Sequence, residues 1–151
     1  MLIKPVPGDK ENPMPLEDTI GSIVKITKVV FDEVSFIRKG FKNLESEPLL
    51  SIGGSVNKIS DGEYRVVLKL DVSKENEYDI AISISGFCSI DEECQNKDDL
   101  LQKNVTAILF PYARAELTLI TSQPETDSLV LPEININEMF KHAVQTQTEP
   151  Q

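Results

Sequence analysis

The sequence predicts an α+β domain: a four-stranded antiparallel meander sheet with one long C-terminal helix packed on one face and a short last helix. Apolar and polar residues alternate through much of residues 20–90, which is the two-residue period of strands with one buried face. From Leu100 onward the apolar residues recur three and four positions apart, which is the period of an amphipathic helix. Because the strands come first and the helices last, we expect the long helix to cover the apolar face of the sheet.

Length and composition are those of one globular domain. The 151 residues are 40% hydrophobic and 26% charged, which is enough for a single core. The net charge of −10, from 25 acidic and 15 basic residues, argues against a nucleic-acid partner, because such binding rests on Lys and Arg that neutralise phosphates. Every apolar stretch is interrupted well before the ~20 residues that a bilayer requires, so no membrane insertion is expected.

The two ends of the chain differ from the part between them. Residues 1–19 are rich in proline and charge, which indicates a flexible arm and neither a signal peptide nor a transit peptide. A cytoplasmic location is therefore expected. The polar residues 145–151 are expected to form a disordered tail, which leaves residues 20–144 as the folded domain.

The first predicted strand carries apolar groups on both faces. In a regular strand Val24, Ile26 and Val30 would lie on one face, with Val29 and Phe31 on the other. Either both faces are covered, or a bulge midway along the strand swaps them. Because a domain of this size has one core, a strand that is apolar on both faces suggests contact with a second subunit.

The next three strands are marked by turns and by alternation. Residues 49–59 predict a strand that Gly53 and Gly54 weaken, and Asp61-Gly62 is a hairpin signal. A charged turn at residues 73–77 separates the third strand from the fourth. The predicted inward side chains of these two strands are Tyr64, Val66, Leu68, Leu70, Val72, Tyr78, Ile80, Ile82 and Ile84.

The helical part of the chain contains a proline. The apolar positions at helical spacing are Leu101, Val105, Ile108, Leu109, Tyr112, Leu117 and Ile120. Since Pro111 lies inside this run, the helix either restarts there or is kinked. Gln123-Pro124 is expected to end it, and Asn137 is expected to cap the short last helix at residues 138–144.

No constellation of residues points to catalysis. The motifs GxSxG and GxxxxGK(S/T) do not occur. Cys88 and Cys94 bring too few ligands for a metal, and His142 is the only histidine. The acidic residues 91–93 are those of a solvated loop. We therefore expect no catalytic residue, no metal and no cofactor, and we do not expect an enzyme.

Four segments carry a resemblance to a known family. The runs NVTAILFPYAR at residues 104–114 and LVLPEININEMF at residues 129–140 resemble the C-terminal half of SecB export chaperones. The runs GEYRVVLKLDV at residues 62–72 and SGFCSI at residues 85–90 resemble strands of the same family, in the same order.

The resemblance implies a SecB-like domain and an ATP-independent chaperone, a holdase that binds unfolded polypeptides or preproteins for export. It also implies assembly as a homodimer or homotetramer. The expected residues of the client-binding groove are Phe36, Phe41, Leu44, Met139 and Phe140. The expected residues of the subunit contacts are Val24, Ile26, Val30, Tyr112 and Arg114.

The motor protein SecA is a further partner that the resemblance implies. In the family SecA docks on an acidic patch of the exposed sheet face. The matching positions here are Val29, Glu33, Asp79 and Ala81, of which Glu33 and Asp79 are acidic. Two alternatives therefore stay open: a SecB-like chaperone dedicated to one partner, such as an antitoxin of a toxin–antitoxin system, or a non-chaperone structural or phage protein with the same fold.

Overall fold

The computed structural model describes residues 24–136 and residue 138, which form a sheet and a helix in two layers. The strands are β1 (Val24–Arg38), β2 (Leu49–Ser60), β3 (Glu63–Lys74) and β4 (Tyr78–Ile90), and the helix α1 spans Lys97–Thr121. This architecture confirms the predicted α+β fold with an antiparallel sheet and a long C-terminal helix. The predicted arm, residues 1–19, and the predicted tail, residues 145–151, lie outside the described residues.

The order of the strands across the sheet is β1-β4-β3-β2. The predicted meander holds for β2, β3 and β4, whereas β1 lies beside β4 and not beside β2, which corrects the prediction at one strand. Residues 39–48, here called the crossover loop, are long enough to permit this position. β1 and β2 are three strand spacings apart, about 14 Å, and ten residues can span about 33 Å. A short hairpin turn would have kept β1 next to β2.

Two β-bulges interrupt β1. The register with β4 shifts between Ile26 and Lys28 and again between Phe31 and Glu33, so of the two alternatives for this strand the structure shows the bulge, and it shows it twice. Ile26, ahead of the first bulge, packs against the core, while Val30, after it, lies on the sheet face turned away from α1. We call that face the open face. Each bulge switches the face on which the following side chains lie. Apolar residues at even and at odd positions of β1 can therefore pack against the same core.

The core lies between α1 and the sheet. All nine predicted inward side chains of β3 and β4 are buried, with exposures of 3% or less. α1 contributes five fully buried residues spaced four apart: Leu101, Val105, Leu109, Ala113 and Leu117. Gly86 on β4 permits the close approach, because a Cβ there would lie 2.9 Å from Cγ1 of Val105.

Two predicted core positions of the helix face the solvent instead. Ile108 and Tyr112 are 39% and 52% exposed, although both fit the apolar spacing. Phe110 is buried in their place, because the segment after α1 returns along the helix and brings Leu131 and Ile136 into the core. The covering segment, which local periodicity does not reveal, thus decides which side of α1 is buried.

The helix runs without interruption through Pro111. Pro111 lies on the exposed side of α1, where water can hydrate the backbone carbonyl that loses its partner. At the other end of the returning segment, Asn135 Oδ1 accepts a hydrogen bond from the Glu138 amide at 3.4 Å. Asn135 therefore caps the described start of the last helix, whereas Asn137, which was predicted to cap it, and the rest of that predicted helix lie outside the described residues.

Glu92 closes the end of the sheet that is remote from the crossover loop. Its carboxylate accepts hydrogen bonds from Lys97 Nζ, from the Gly62 amide and, at 3.1 Å, from the Tyr64 hydroxyl. Lys58 Nζ lies 3.4 Å away. The Lys97 ammonium above all, with the Gly62 amide next, lowers the pKa of Glu92 from 4.5 to about 2. The β2–β3 turn, the loop after β4 and the start of α1 are joined at this one carboxylate.

Acid is expected to destabilise the fold through Glu92. Because the folded state holds the pKa of this carboxyl at about 2 rather than 4.5, its stabilising effect is complete above pH 4.5 and is lost as the pH falls toward 2. Urea denaturation measured from pH 6 to pH 2 should therefore show a shallower acid decline in Glu92→Gln than in the wild type. Glu93→Gln is the control, since the Glu93 carboxylate has no hydrogen bond or ion pair within the described part of the chain. If Glu92→Gln and Glu93→Gln changed the acid decline of stability equally, the decline could not be assigned to Glu92.

Candidate functional site

The crossover loop and the start of β2 expose three large apolar side chains. Phe41, Leu44 and Leu49 are 70%, 82% and 73% exposed, and we call them the loop patch. Phe41 and Leu44 were predicted as groove residues, and the structure places both on the surface. Leu49 was missed, because the alternation at the start of β2 fits a half-buried strand and does not tell which member of the Leu49-Leu50 pair faces out.

The other predicted groove residues lie elsewhere. Phe36 is half-buried on the helix side of β1, with its ring centroid 5.6 Å from that of Tyr78 and the Arg38 guanidinium 5.3 Å above it. Its ring is thus shared between core and surface, at the base of the crossover loop. Met139 and Phe140 lie outside the described residues.

A buried carboxylate holds the crossover loop at its middle. Glu77, in the turn between β3 and β4, is fully buried. Its Oε1 accepts a hydrogen bond from the Asn43 amide at 2.7 Å, and its Oε2 accepts one from the Asp127 amide at 2.9 Å. One side chain therefore joins the crossover loop to the segment that follows α1.

Lys74 completes this cluster from the end of β3. Its ammonium is 1% exposed and donates to the Asn43 carbonyl at 2.7 Å, to Glu77 at 3.1 Å and to the Asp127 carboxylate at 3.1 Å. Each of the two charged groups thus contacts both segments. We call Lys74, Glu77, Asn43 and Asp127 the anchor cluster.

The base of the crossover loop is fixed as well. The amides of Lys39 and Gly40 donate to the Glu77 carbonyl at 2.9 and 3.2 Å. A Cβ at Gly40 would lie 2.0 Å from the Asn76 carbonyl oxygen, so only glycine fits this crossing. The Arg38 guanidinium donates to the carbonyls of Gly40 and Glu125 at 2.9 and 3.0 Å. The loop backbone is therefore held at several points while Phe41 and Leu44 point outward.

The two charges of the anchor cluster stabilise one another. Burial raises the pKa of Glu77, but the amides of Asp127 and Asn43 and the Lys74 ammonium outweigh burial and hold that pKa below its usual value. Burial lowers the pKa of Lys74, but Glu77 and Asp127 outweigh it and hold that pKa above its usual value. Both groups are charged at neutral pH, as a buried pair with all its hydrogen bonds can be.

The predicted subunit-contact residues lie on two different surfaces. Val24 and Ile26 are half-buried on the helix side of β1, which is an edge strand of this sheet. Val30 lies on the open face. Tyr112 is exposed on α1, and Arg114 lines a cleft of about 280 Å³ between the helix and the returning segment.

The solvent side of α1 carries an apolar row. Its members are Ile108, Tyr112, Ala115 and Leu119, which are all exposed. The spacings of four, three and four residues are those of a helix-packing seam. We call this row the helix stripe.

The two edges of the sheet differ in character. β1 carries two bulges and several charges, which are features that protect an edge from pairing. β2 pairs with β3 without a shift from Leu49 to Lys58, and residues 49–57 contain neither charge nor proline. The outer edge of β2 is therefore the one suited to accept another strand.

The open face of the sheet is charged but not simply acidic. Asp79 accepts a hydrogen bond from the Ser73 hydroxyl at 2.7 Å and an ion pair from Lys39 at 2.9 Å, and these two contacts lower its pKa. Asp32 pairs with Arg65 at 2.7 Å. Glu33 lies on this face and accepts a hydrogen bond from Ser35 at 3.3 Å.

One position assigned to the acidic patch lies on the other side of the sheet. Val29 pairs opposite Gly86 and packs against the core, because the first bulge shifts the phase of β1. Ala81 lies on the open face, as expected. Of the four matching positions, the structure therefore brings three together on one face.

The described residues contain neither a cluster of metal ligands nor, at Cys88, a reactive thiol. No group of three potential metal ligands occurs within residues 24–136. The Cys88 thiol is buried, and burial raises its pKa to about 11, which leaves it protonated and unreactive. No described helix is long and apolar enough to cross a bilayer.

Sequence comparisons agree with the resemblance of the motifs. Residues 23–147 match the family model of SecB, the preprotein translocase subunit SecB. The protein-export protein SecB of Idiomarina loihiensis is 33% identical over 98 residues, which are 61% of this chain and 59% of that protein. An uncharacterized protein of Methanocaldococcus jannaschii is 31% identical over 96 residues, 63% of this chain and 58% of that protein. The chain thus spans less than two thirds of the length of these curated relatives.

A solved structure has the same fold. The SecB-like chaperone of Mycobacterium tuberculosis, in complex with a ChAD peptide from the HigA1 antitoxin, aligns with a TM-score of 0.66. The alignment covers 76% of this chain and 93% of that chain, at 10% sequence identity. At this identity the likeness concerns the arrangement of sheet and helix.

Proposed function

Because the chain belongs to the SecB family, we propose that it is a non-enzymatic chaperone that holds unfolded polypeptides or preproteins without ATP. The functional unit is the SecB-like domain, residues 20–144, and the protein acts in the cytoplasm. The loop patch is the observation that carries the proposal. Three large apolar side chains on one anchored segment are exposed to water, although burying each would be favourable.

The loop patch suits a partner without defined sequence. Unfolded chains expose apolar side chains, and contact with apolar surface is favourable without directional readout. Burying a Phe or Leu side chain is worth about 1.5–3 kcal/mol, so Phe41 and Leu44 together supply about 3–6 kcal/mol before ordering costs. Contacts of this strength bind and release a client without an energy source.

The β2 edge supports the same proposal. Leu49 is a member of the loop patch and is also the first residue of the uncharged, bulge-free edge of β2. An extended client can pair its backbone with this edge while its side chains reach the patch. Backbone pairing is independent of client sequence, which suits a general holdase.

The activity is tested with a denatured client diluted from urea. At one chaperone protomer per client and without nucleotide, the purified protein should suppress light scattering by the aggregating client. An equal mass of an inert acidic protein should leave the scattering unchanged. If the client aggregates equally fast with and without the protein, the holdase proposal is lost.

We further propose that the protein assembles through the helix stripe and the apolar side chains on the helix side of β1, without backbone pairing at the β1 edge. Tyr112 lies at the middle of the stripe, and Val24 and Ile26 lie on the edge strand. Apolar residues at a helix-packing spacing on a solvent face are expected to pair with another helix. A homodimer or homotetramer would cover them.

A charge in the helix stripe is expected to break this assembly. Tyr112→Asp would bury an unpaired carboxylate in the helix contact, which costs several kcal/mol. Size-exclusion chromatography with light scattering should give at most half the wild-type mass for this variant. Asn57→Asp adds the same charge on exposed β2 and should keep the wild-type mass. A full-size assembly of the Tyr112 variant would remove the stripe from the interface.

The second candidate is a chaperone dedicated to one partner, such as an antitoxin. The specific observation in its favour is the pairing of Asp79 with Lys39 and of Asp32 with Arg65 on the open face, which neutralises two of the carboxylates that a basic tail of SecA could bind. Calorimetric titration with the basic tail of SecA separates the candidates. If the tail binds the wild type and Glu33→Gln weakens that binding, the general export chaperone is favoured. If the tail does not bind although the protein still holds unfolded clients, the dedicated chaperone is favoured.

A further inference from the structure

We propose that the buried pair of Lys74 and Glu77 sets the affinity for clients, because it positions the crossover loop and with it Phe41 and Leu44. This inference rests on the proposed holdase function. Neither charged group reaches the surface: their side chains are 1% and 0% exposed. They are positioning residues, since they act on the client through the loop that they hold.

The crossover loop has no apolar anchor of its own. No residue from 39 to 48 is buried, so the loop gains little from burial of side chains in the core. A chain segment without buried contacts is expected to sample many conformations, because fixing each backbone residue costs about 1–2 kcal/mol. The order of this loop therefore depends on its polar contacts.

Most of the contacts that hold the middle of the loop involve the anchor cluster. The Asn43 amide is bound by Glu77 and the Asn43 carbonyl by Lys74. Ser46 adds bonds from its amide and hydroxyl to the Asn43 side chain, at 3.1 and 2.7 Å. Phe41 and Leu44 flank Asn43, so the point of attachment lies between the two exposed apolar side chains.

The pair also links the loop to the end of α1. Glu77 uses separate oxygens for the Asn43 and Asp127 amides, and the Lys42 amide donates to the Glu125 carbonyl at 2.9 Å. Loop and returning segment are thus joined through the two buried charges and, next to them, through one backbone hydrogen bond. If one charge is removed, both of its attachments weaken together, whereas the bonds from the side chains of Asn43 and Ser46 to the Glu75 carbonyl, at 3.4 and 2.9 Å, do not involve either charge.

The expected size of the effect follows from the population of the ordered loop. When a site is competent only part of the time, the apparent Kd rises by the inverse of that fraction. If Glu77→Gln lowers the ordered fraction to about a tenth, the apparent Kd for an unfolded client rises about tenfold. Gln keeps the size of Glu and one acceptor oxygen, which is why this variant should still fold.

The test compares Glu77→Gln with Glu92→Gln. Glu92 lies at the end of the sheet remote from the crossover loop and also joins several segments through charged hydrogen bonds. Glu92→Gln therefore removes a carboxylate with a similar role, as Glu77→Gln does, but it leaves the contacts of the crossover loop unchanged. Hydrogen–deuterium exchange should be about tenfold faster for the amides of residues 39–46 in Glu77→Gln only, with β3 and β4 protected in both. Client Kd, measured by fluorescence anisotropy with a labelled unfolded polypeptide, should rise about tenfold in Glu77→Gln only.

A covalent rescue separates positioning from general damage. The backbones of Lys42 and Glu125 are hydrogen-bonded, so a disulfide between Lys42→Cys and Glu125→Cys, in a Cys94→Ser background, is designed to tie the loop down. In the Glu77→Gln background, the oxidised protein with this disulfide should bind the client with the wild-type Kd. After reduction, the Kd should rise again to the value of Glu77→Gln alone.

Each outcome has one meaning. If loop exchange is unchanged in Glu77→Gln, or if exchange rises while client Kd stays the same, the inference is overturned and the proposed function stands. A wild-type protein that binds no client overturns the proposed function and the client part of this inference. Equal Kd increases in both variants would show a general loss of stability and would also overturn the inference.

Discussion

The double variant Phe41→Asp, Leu44→Asp is expected to lose at least 99% of the client affinity of the wild type. The two substitutions remove about 3–6 kcal/mol of available apolar burial, and 2.7 kcal/mol already corresponds to a hundredfold change in Kd. The two added carboxylates also oppose burial of the patch against an apolar client. Because both side chains are exposed, the fold itself should be little affected.

Client titration and aggregation assays measure this loss, and circular dichroism with light scattering checks fold and assembly. Ile59→Asp is the matched control, since Ile59 is an exposed apolar residue of β2 at the end remote from the crossover loop. The control should bind clients as the wild type does. Unchanged affinity of the double variant would show that clients bind elsewhere, and the loop patch would no longer support a holdase.

Gly40→Ala is expected to destabilise the protein by about 2–3 kcal/mol, the upper part of the range for overpacked sites. The added Cβ would lie 2.0 Å from the Asn76 carbonyl oxygen, and this neighbour is backbone, so the loop must move. Such a shift would also break the bonds from Lys39 and Gly40 to the Glu77 carbonyl. The melting temperature of a domain of this size should fall by roughly 4–12 °C.

Gly53→Ala is the matched comparison within the same chain. A Cβ at Gly53 meets nothing within 4 Å, and alanine reduces the freedom of the unfolded chain. Thermal unfolding should therefore show a change of less than about 1 kcal/mol, neutral or stabilising, for this variant. Equal melting temperatures for Gly40→Ala and the wild type would show that the backbone at Gly40 lies farther from the Asn76 carbonyl oxygen than in the structure.

The strands with one buried face could be predicted from the sequence in detail. The alternation in β3 and β4 correctly assigns all nine inward side chains, because each polar position is a direct signal of the solvent side. The place of β1 could not be predicted in the same way, since periodicity describes a strand and not its neighbour. The length of the crossover loop was the available signal, and it permitted both positions.

The anchor cluster was out of reach of sequence reasoning. Lys74 and Glu77 lie in a charged turn, and such residues are most often solvated. Their burial depends on Asn43 and Asp127, which come from segments far apart in the chain. Phe41 and Leu44 were easier to single out, because apolar residues in a charged loop without periodicity have no obvious place in a core; their role in client binding stays a prediction.

The helix stripe shows a further limit of local patterns. Leu109 and Ile108 fit the helical period equally well, yet one is fully buried and the other exposed. A helix with apolar residues on more than one side has several candidate core faces, and the segments packed around it select among them. The same ambiguity is what makes a second copy of the chain the expected partner for the exposed side.

The position of β1 at the far edge has a consequence for how the chain acquires its structure. β2, β3 and β4 can pair through short turns as soon as they are synthesised. β1 cannot pair until β4 has been synthesised, because Val24 pairs with Ile90 and Arg38 pairs with Tyr78. At about 5–20 residues per second on the ribosome, β1 emerges several seconds before β4 exists. The first strand is therefore the last to dock, and during those seconds the nascent chain displays the kind of extended apolar segment that a holdase captures.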